Sequence, residues 1–369
     1  MPTPRDAAPA PENFKPAQED QQKPLYSDEL MRSHKSLTET KCALIHDLEL
    51  VDSQETRKPL AKGEAGQTTV ETIKIGDTNR SYRLHVPKNY DPERPTALML
   101  VYHGMSNPKK ATLGDGGHGA VGIENVTGLS EKSDDRNFVV AYLQGNERKD
   151  NSWNNGQWAF SNNDDIGFTK GVIKELSRDL NIDKSKVFAV GFSQGESFVH
   201  HLGNDPSMRG QFRAIGVVSG WLPETEKLHC DKKDPHADDI SMISIKCADD
   251  KTVPYGGRFD WPVPIVGDIL RAQAGMHSEP EEFNWYLKRD DIKGGIEQTE
   301  IYDATDWKLG QEPPLMATEK TAANSHGDTI TSVKVEGLKH VWPGGAGGES
   351  RYNATNRILE FFKLHELPG

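Results

Sequence analysis

The stretch VFAVGFSQGES, residues 187–197, ends an apolar run on Gly191-Phe192-Ser193-Gln194-Gly195 and leads into a helical pattern, ESFVHHLG. A serine between glycines at a strand-to-helix junction is either an ordinary tight turn or a nucleophile projected from a strained corner. A hydroxyl is a poor nucleophile until a base takes its proton, and a carboxylate must then orient and stabilise the imidazolium. The chain supplies both groups further on. Asp249 and Asp250 follow the apolar run SMISIKC in ISIKCADDKTVPYGG, and His340 follows the run at 330–337 in VKVEGLKHVWPGG. Both positions fall at carboxyl ends of expected strands, where α/β sites gather, and the chain order is serine, acid, histidine. Taken alone, an aspartate there is a common turn former, and His340 is one of thirteen histidines. His200 and His201 lie on the helix leading away from Ser193. Only His340 combines strand-end placement, chain order and a rigid Pro343-Gly344-Gly345 turn.

A tetrahedral intermediate also needs hydrogen-bond donors for its oxyanion. The backbone N–H of Gln194 is one candidate. The loop in LMLVYHGMSNPKK offers another, the N–H of Met105, beside a glycine that lets the backbone approach a substrate.

The elements that must carry these residues are legible as apolar runs. SYRLHVP alternates Tyr82, Leu84 and Val86 on one face, as a half-buried strand does. The runs at 98–103, 138–144, 186–192, 214–220 and 241–247 are almost continuously apolar, as in strands covered on both faces, and 330–337 adds one more. IGFTKGVIKELSRDL at 166–180 repeats Phe168, Val172, Leu176 and Leu180 at helical spacing, with Asp164 or Asp165 as a cap. RYNATNRILEFFKLHEL reads as a closing amphipathic helix. Strand, helix, strand in succession predicts an α/β fold with a mainly parallel central sheet and helices on both faces.

The formal net charge of −12 excludes the basic footprint that nucleic-acid backbones require. No run reaches the roughly 20 apolar residues of a membrane span. The N-terminus, MPTPRDAAPAPENFKPAQEDQQKP, has no apolar core of a signal peptide. Its composition predicts a tail without a fixed structure. The expected organisation is thus a tail and extension over 1–66 and a catalytic domain over 67–369, within which 258–320 is a lid or insertion. The cysteines Cys42, Cys230 and Cys247 lack the paired spacing of a zinc site and leave a Cys230–Cys247 bridge unread.

Taken together, YHG, SWNNGQW, DDIGF, VFAVGFSQG, DDKTVPYGG and HVWPGG occur in an order that resembles the polyhydroxybutyrate depolymerase and feruloyl esterase family of α/β-hydrolases, over about 70–365. The resemblance implies Asp250 rather than Asp249 as the acid and agrees with His340. It implies cofactor-free hydrolysis of carboxylic esters through an acyl-enzyme, on feruloyl-type or polyhydroxyalkanoate-type esters, with polymer or polysaccharide-bound substrates and export from the cell. Trp153, Trp158, Tyr255 and Trp342 are candidates for lining an aromatic cleft. The chain departs from the family pattern at Trp158-Ala159, where a cysteine is frequent, at Lys246-Cys247-Ala248, where His-Gly-Thr is common, and at Glu196, where small residues are usual. Two other readings share the elbow: a peptidase of the prolyl-oligopeptidase kind, whose usual propeller finds no room in 369 residues, and a silent α/β-hydrolase fold used for binding.

Overall fold

A computed structural model describes residues 65–105, 119–145, 151–156, 163–223, 240–256, 278–303, 313–346 and 350–364. The chain divides after Asp52, and every described residue belongs to the second unit, Ser53–Gly369. The tail expected over 1–66 lies outside the described residues except for 65 and 66.

The described residues form one ten-stranded sheet in the order β1-β2-β4-β3-β5-β6-β7-β10-β9-β8. Its centre is β4 (Phe138–Leu143), β3 (Thr96–Tyr102), β5 (Ile182–Phe192), β6 (Ala214–Val218), β7 (Ser241–Cys247) and β10 (Thr329–Val335). These central strands all run parallel. On one flank β1 (Gln67–Ile75) and β2 (Thr78–Val86) form an antiparallel hairpin, and on the other β9 (Leu315–Ala323) and β8 (Glu297–Tyr302) do the same.

The continuous apolar runs are central strands because both sheet faces are covered. In β3, Leu98, Leu100 and Tyr102 enter one core while Ala97, Met99 and Val101 enter the other. The first core takes α3 (Asp165–Asp179), α4 (Gln194–Asn204) and α5 (Glu279–Arg289) through Phe168, Phe198 and Phe283. The second takes α1 (Gly119–Thr127), α2 (Leu129–Arg136) and α6 (Ala354–Phe361) through Ile123, Leu129 and Ile358. Asp164 caps α3 by accepting the Gly167 N–H at 2.8 Å, and Asn353 caps α6 through the Asn356 N–H at 2.8 Å. The apolar runs predict this parallel centre wrapped on both faces, and with a serine elbow between β5 and α4 it is the α/β-hydrolase fold that the resemblance implies.

The described part of the 258–320 segment is a capped helix and sheet strands, α5, β8 and the start of β9, while 257–277 lie outside the described residues. Cys247 is a buried free thiol, and Cys230 lies outside the described residues. No helix among the described residues is long and apolar enough to cross a membrane.

Candidate active site

β5 ends at Phe192 and α4 begins at Gln194, leaving Ser193 at the corner with φ 54° and ψ −122°. A non-glycine residue in this region costs on the order of 1–3 kcal/mol and persists only where its surroundings enforce it. Those surroundings leave no space for side chains. A Cβ on Gly191 would lie 2.3 Å from the Gly195 carbonyl oxygen, and one on Gly195 would lie 2.3 Å from that of Tyr102. The corner is pinned by the Ser193 N–H donating to Val218 at 2.8 Å.

Two later loops meet this corner. Asp250 follows β7 and is 4% exposed. Its Oδ1 accepts the N–H groups of Thr252 at 2.7 Å and Val253 at 2.9 Å, and its Oδ2 lies 2.7 Å from His340 Nδ1. Asp249 is exposed, and its own N–H donates to Leu338 at 2.9 Å. His340 stands in the loop after β10, with Nε2 2.9 Å from Ser193 Oγ. With Asp250 ionised, Nδ1 carries the proton and donates to it, which leaves Nε2 to accept the Ser193 hydroxyl proton.

The 103–105 loop runs against the serine, since a Cβ on Gly104 would sit 3.0 Å from Ser193 Cβ. His103 holds that loop: its Nδ1 lies 2.6 Å from the Gly104 oxygen, and its Nε2 accepts the Gly145 N–H at 2.9 Å. Burial lowers the His103 pKa to about 4, so the ring is neutral at pH 7 with Nδ1 as donor. Met105 is 55% exposed, and Gln194 opens α4, where the first N–H groups lack intrahelical acceptors.

The aromatic residues fall differently from expectation. Trp153 is fully buried, with its ring stacked on Phe198 at 5.4 Å and its indole N–H donating to the His103 oxygen at 2.8 Å. Its backbone is clasped by the Gln194 side chain, which accepts its N–H at 3.0 Å and donates to its carbonyl at 2.7 Å. Trp342, 3% exposed, donates to Thr355 Oγ1 at 3.0 Å. Both indoles are core pieces that brace the 103–105 and 340 loops, in place of the cleft lining expected of them. Tyr255 is half-buried with its hydroxyl donating to Glu279 Oε2 at 2.6 Å, and Trp158 lies outside the described residues. Among the described residues, the apolar side chains of Met105 and Val341, next to Gly104 and His340, are exposed, and Phe192 is half-buried with its ring 5.2 Å from that of His340.

His103, the Gln194 clasp and Asn155, whose amide donates to Ser197 Oγ at 2.7 Å, were not readable as site residues. Their partners lie about 40 positions away and follow no spacing rule.

No protein-family model matches the chain. Over 216 residues it is 27% identical to "Probable feruloyl esterase C" of Aspergillus niger, covering 58% of this chain and 71% of that protein. Over 179 residues it is 28% identical to "Feruloyl esterase C" of Emericella nidulans, covering 48% of this chain and 57% of that one. The chain thus spans between about half and three quarters of the length of these curated relatives. Among solved structures, an acetyl xylan esterase from Aspergillus awamori aligns over 80% of this chain and 100% of its own, with 14% identity and a TM-score of 0.48. The chain is thus similar in sequence to proteins named feruloyl esterases, and its described residues form the α/β-hydrolase fold.

Proposed function

We propose that this protein hydrolyses carboxylic esters through an acyl-enzyme on Ser193. The observation that carries the reading is the continuous chain of contacts Ser193 Oγ, His340, Asp250, at 2.9 and 2.7 Å. Ser193 Oγ attacks the ester carbonyl as His340 Nε2 takes its proton, and the Asp250 carboxylate holds the imidazolium. The N–H groups of Gln194 and Met105 receive the oxyanion. Collapse of the tetrahedral intermediate expels the alcohol, which leaves with the proton from His340. Water, deprotonated by the same imidazole, then releases the acid and restores Ser193.

The acyl group is a feruloyl-type or comparable apolar acid. The names of the relatives support this, as do the apolar side chains of Met105, Phe192 and Val341. A polymer-borne ester and an extracellular or periplasmic setting belong to the same reading.

The test is a panel of p-nitrophenyl acetate, methyl ferulate, hydroxybutyrate oligomers and acetylated sugars. Turnover that falls at least about 10³-fold in Ser193→Ala, with an unchanged circular dichroism spectrum, is expected. Amide cleavage without ester turnover would point to a peptidase. Inertness of Ser193 to a fluorophosphonate would point to a binding protein.

A further inference from the structure

Two of the chain's departures from the family pattern, Glu196 and Lys246, meet in space. The Lys246 ammonium binds Glu196 Oε1 directly and lies 3.1 Å from Glu282 Oε2. His200 Nε2 lies 3.4 Å from Glu196 Oε1 and 3.5 Å from Glu282 Oε1, and its Nδ1 lies 2.7 Å from the Tyr286 hydroxyl. All four charged side chains are at most 6% exposed. Burial alone would discharge His200, but Tyr286, Glu282 and Glu196 outweigh it and raise its pKa well above the ordinary value. Burial would likewise protonate Glu282, yet Lys246 and His200 hold its pKa well below the carboxylate range. The set therefore packs two basic side chains against two carboxyl side chains. Glu196, His200 and Glu282 are metal-ligand types, with ligand atoms within 4.8 Å of one another, and the Lys246 ammonium contacts both carboxylates.

The placement of this network matters more than its charge. Glu196 stands one turn into α4 behind Ser193, and its N–H donates to the Ser193 carbonyl at 3.0 Å. Lys246 is on β7, four residues before Asp250. Gly220, in the turn after β6, ties the two together: its N–H donates to Glu196 Oε2, and its carbonyl accepts from Lys246 at 2.8 Å. That turn also packs on the corner, since a Cβ on Gly220 would lie 2.2 Å from the Ser193 carbonyl oxygen. Its neighbour Ser219 donates to the carbonyl of Val341, beside His340, at 3.2 Å.

We infer that Glu196 and Lys246 are a positioning pair, a buried ionic clamp that sets the nucleophile's helix against the acid's strand and the 219–220 turn. This inference rests on the esterase reading of Ser193, His340 and Asp250. Neither residue touches the reacting atoms. Truncating one partner leaves a buried charge uncompensated, whereas removing both leaves His200 paired with Glu282.

The experiment compares wild type, Glu196→Gln, Lys246→Met and the double variant. It reads the thermal midpoint and, below unfolding, kcat and KM on p-nitrophenyl acetate per fluorophosphonate-titrated site. Each single variant is expected to lose at least about 5 °C in midpoint and at least tenfold in kcat, with KM within about twofold. The double variant should regain most of the midpoint while kcat stays at least tenfold down, because the clamp is gone although the charges balance. A double variant with wild-type kcat, or folded single variants with wild-type kcat, overturns the inference. Should the double variant not fold, Glu196→Asp decides: it keeps the charge but is too short to hold both Lys246 and the Gly220 N–H. Lowered kcat at unchanged KM then supports the clamp, and unchanged kcat overturns it. The midpoints need no ester turnover, so a wild type inert to every ester defeats the esterase reading, while the comparison of variants bears on the clamp.

Discussion

At the scale of residues, the site depends on placing one proton. Asp250 fixes the His340 tautomer through Nδ1, at 2.7 Å, so that Nε2 faces the serine. Asp250→Asn keeps the shape but presents an amide able to favour the wrong tautomer. A fall in kcat of about 10³–10⁴ with KM little changed is expected from steady-state kinetics. A second histidine sets an acid limit on stability. Burial lowers the His103 pKa to about 4 in the folded chain, against 6.5 for an ordinary histidine. Between those values the unfolded chain binds a proton that the folded chain refuses. The contribution of His103 is therefore intact above about pH 6.5 and is lost as the pH falls toward 4, on the order of 3 kcal/mol in all. Urea midpoints at pH 7 and pH 4.5 should differ more in wild type than in His103→Gln; parallel shifts would contradict this. Ser193, Asp250 and His340 were legible because each follows an apolar strand and is flanked by turn residues. Glu196 and Lys246 were visible only as departures, since the sequence does not show that positions 50 apart are partners.

At the scale of elements, the elbow works because its glycines let three backbones converge. Gly195→Ala would drive a methyl group toward the Tyr102 carbonyl, 2.3 Å from an ideal Cβ, and neither partner is a flexible side-chain end. A loss of about 3 kcal/mol in urea-unfolding stability is expected, together with reduced turnover as Ser193 shifts. A variant of wild-type stability would contradict the packing described. The central strands could be read because burial on both faces forces continuous apolar runs. Of the flanking strands, β2 could be read from its alternation, but β8 and β9 could not. β8, EQTEIY, is exposed along nearly its whole length, and β9, LMATEKTAA, mixes lysine, glutamate and threonine, so neither carries a hydrophobic period. α2 was hidden for a related reason: it follows Gly128 without a side-chain cap, and its sequence LSEKSDDR is almost wholly polar. Trp153 and Trp342 show the same ambiguity among aromatic residues, since an indole that lines a cleft and one that braces a loop are alike in sequence.

At the scale of the whole molecule, the parallel sheet lets distant positions do joint chemistry. His340 reaches back 147 residues to Ser193 and 90 to Asp250, and the parallel strands β5, β7 and β10 deliver all three beyond their carboxyl ends. The fold class followed from the alternation of apolar runs and helical periods. The antiparallel β8–β9 flank and the pairing order had no local signature. The proposed ester hydrolysis requires the acyl group to pass through Ser193 Oγ. Acid quenching during turnover of methyl ferulate, followed by peptide mass spectrometry, tests it most directly. The feruloyl group should appear on the peptide containing Ser193 and vanish in Ser193→Ala along with hydrolysis. Hydrolysis that persists in Ser193→Ala, or an acyl group carried by another residue, would contradict the account.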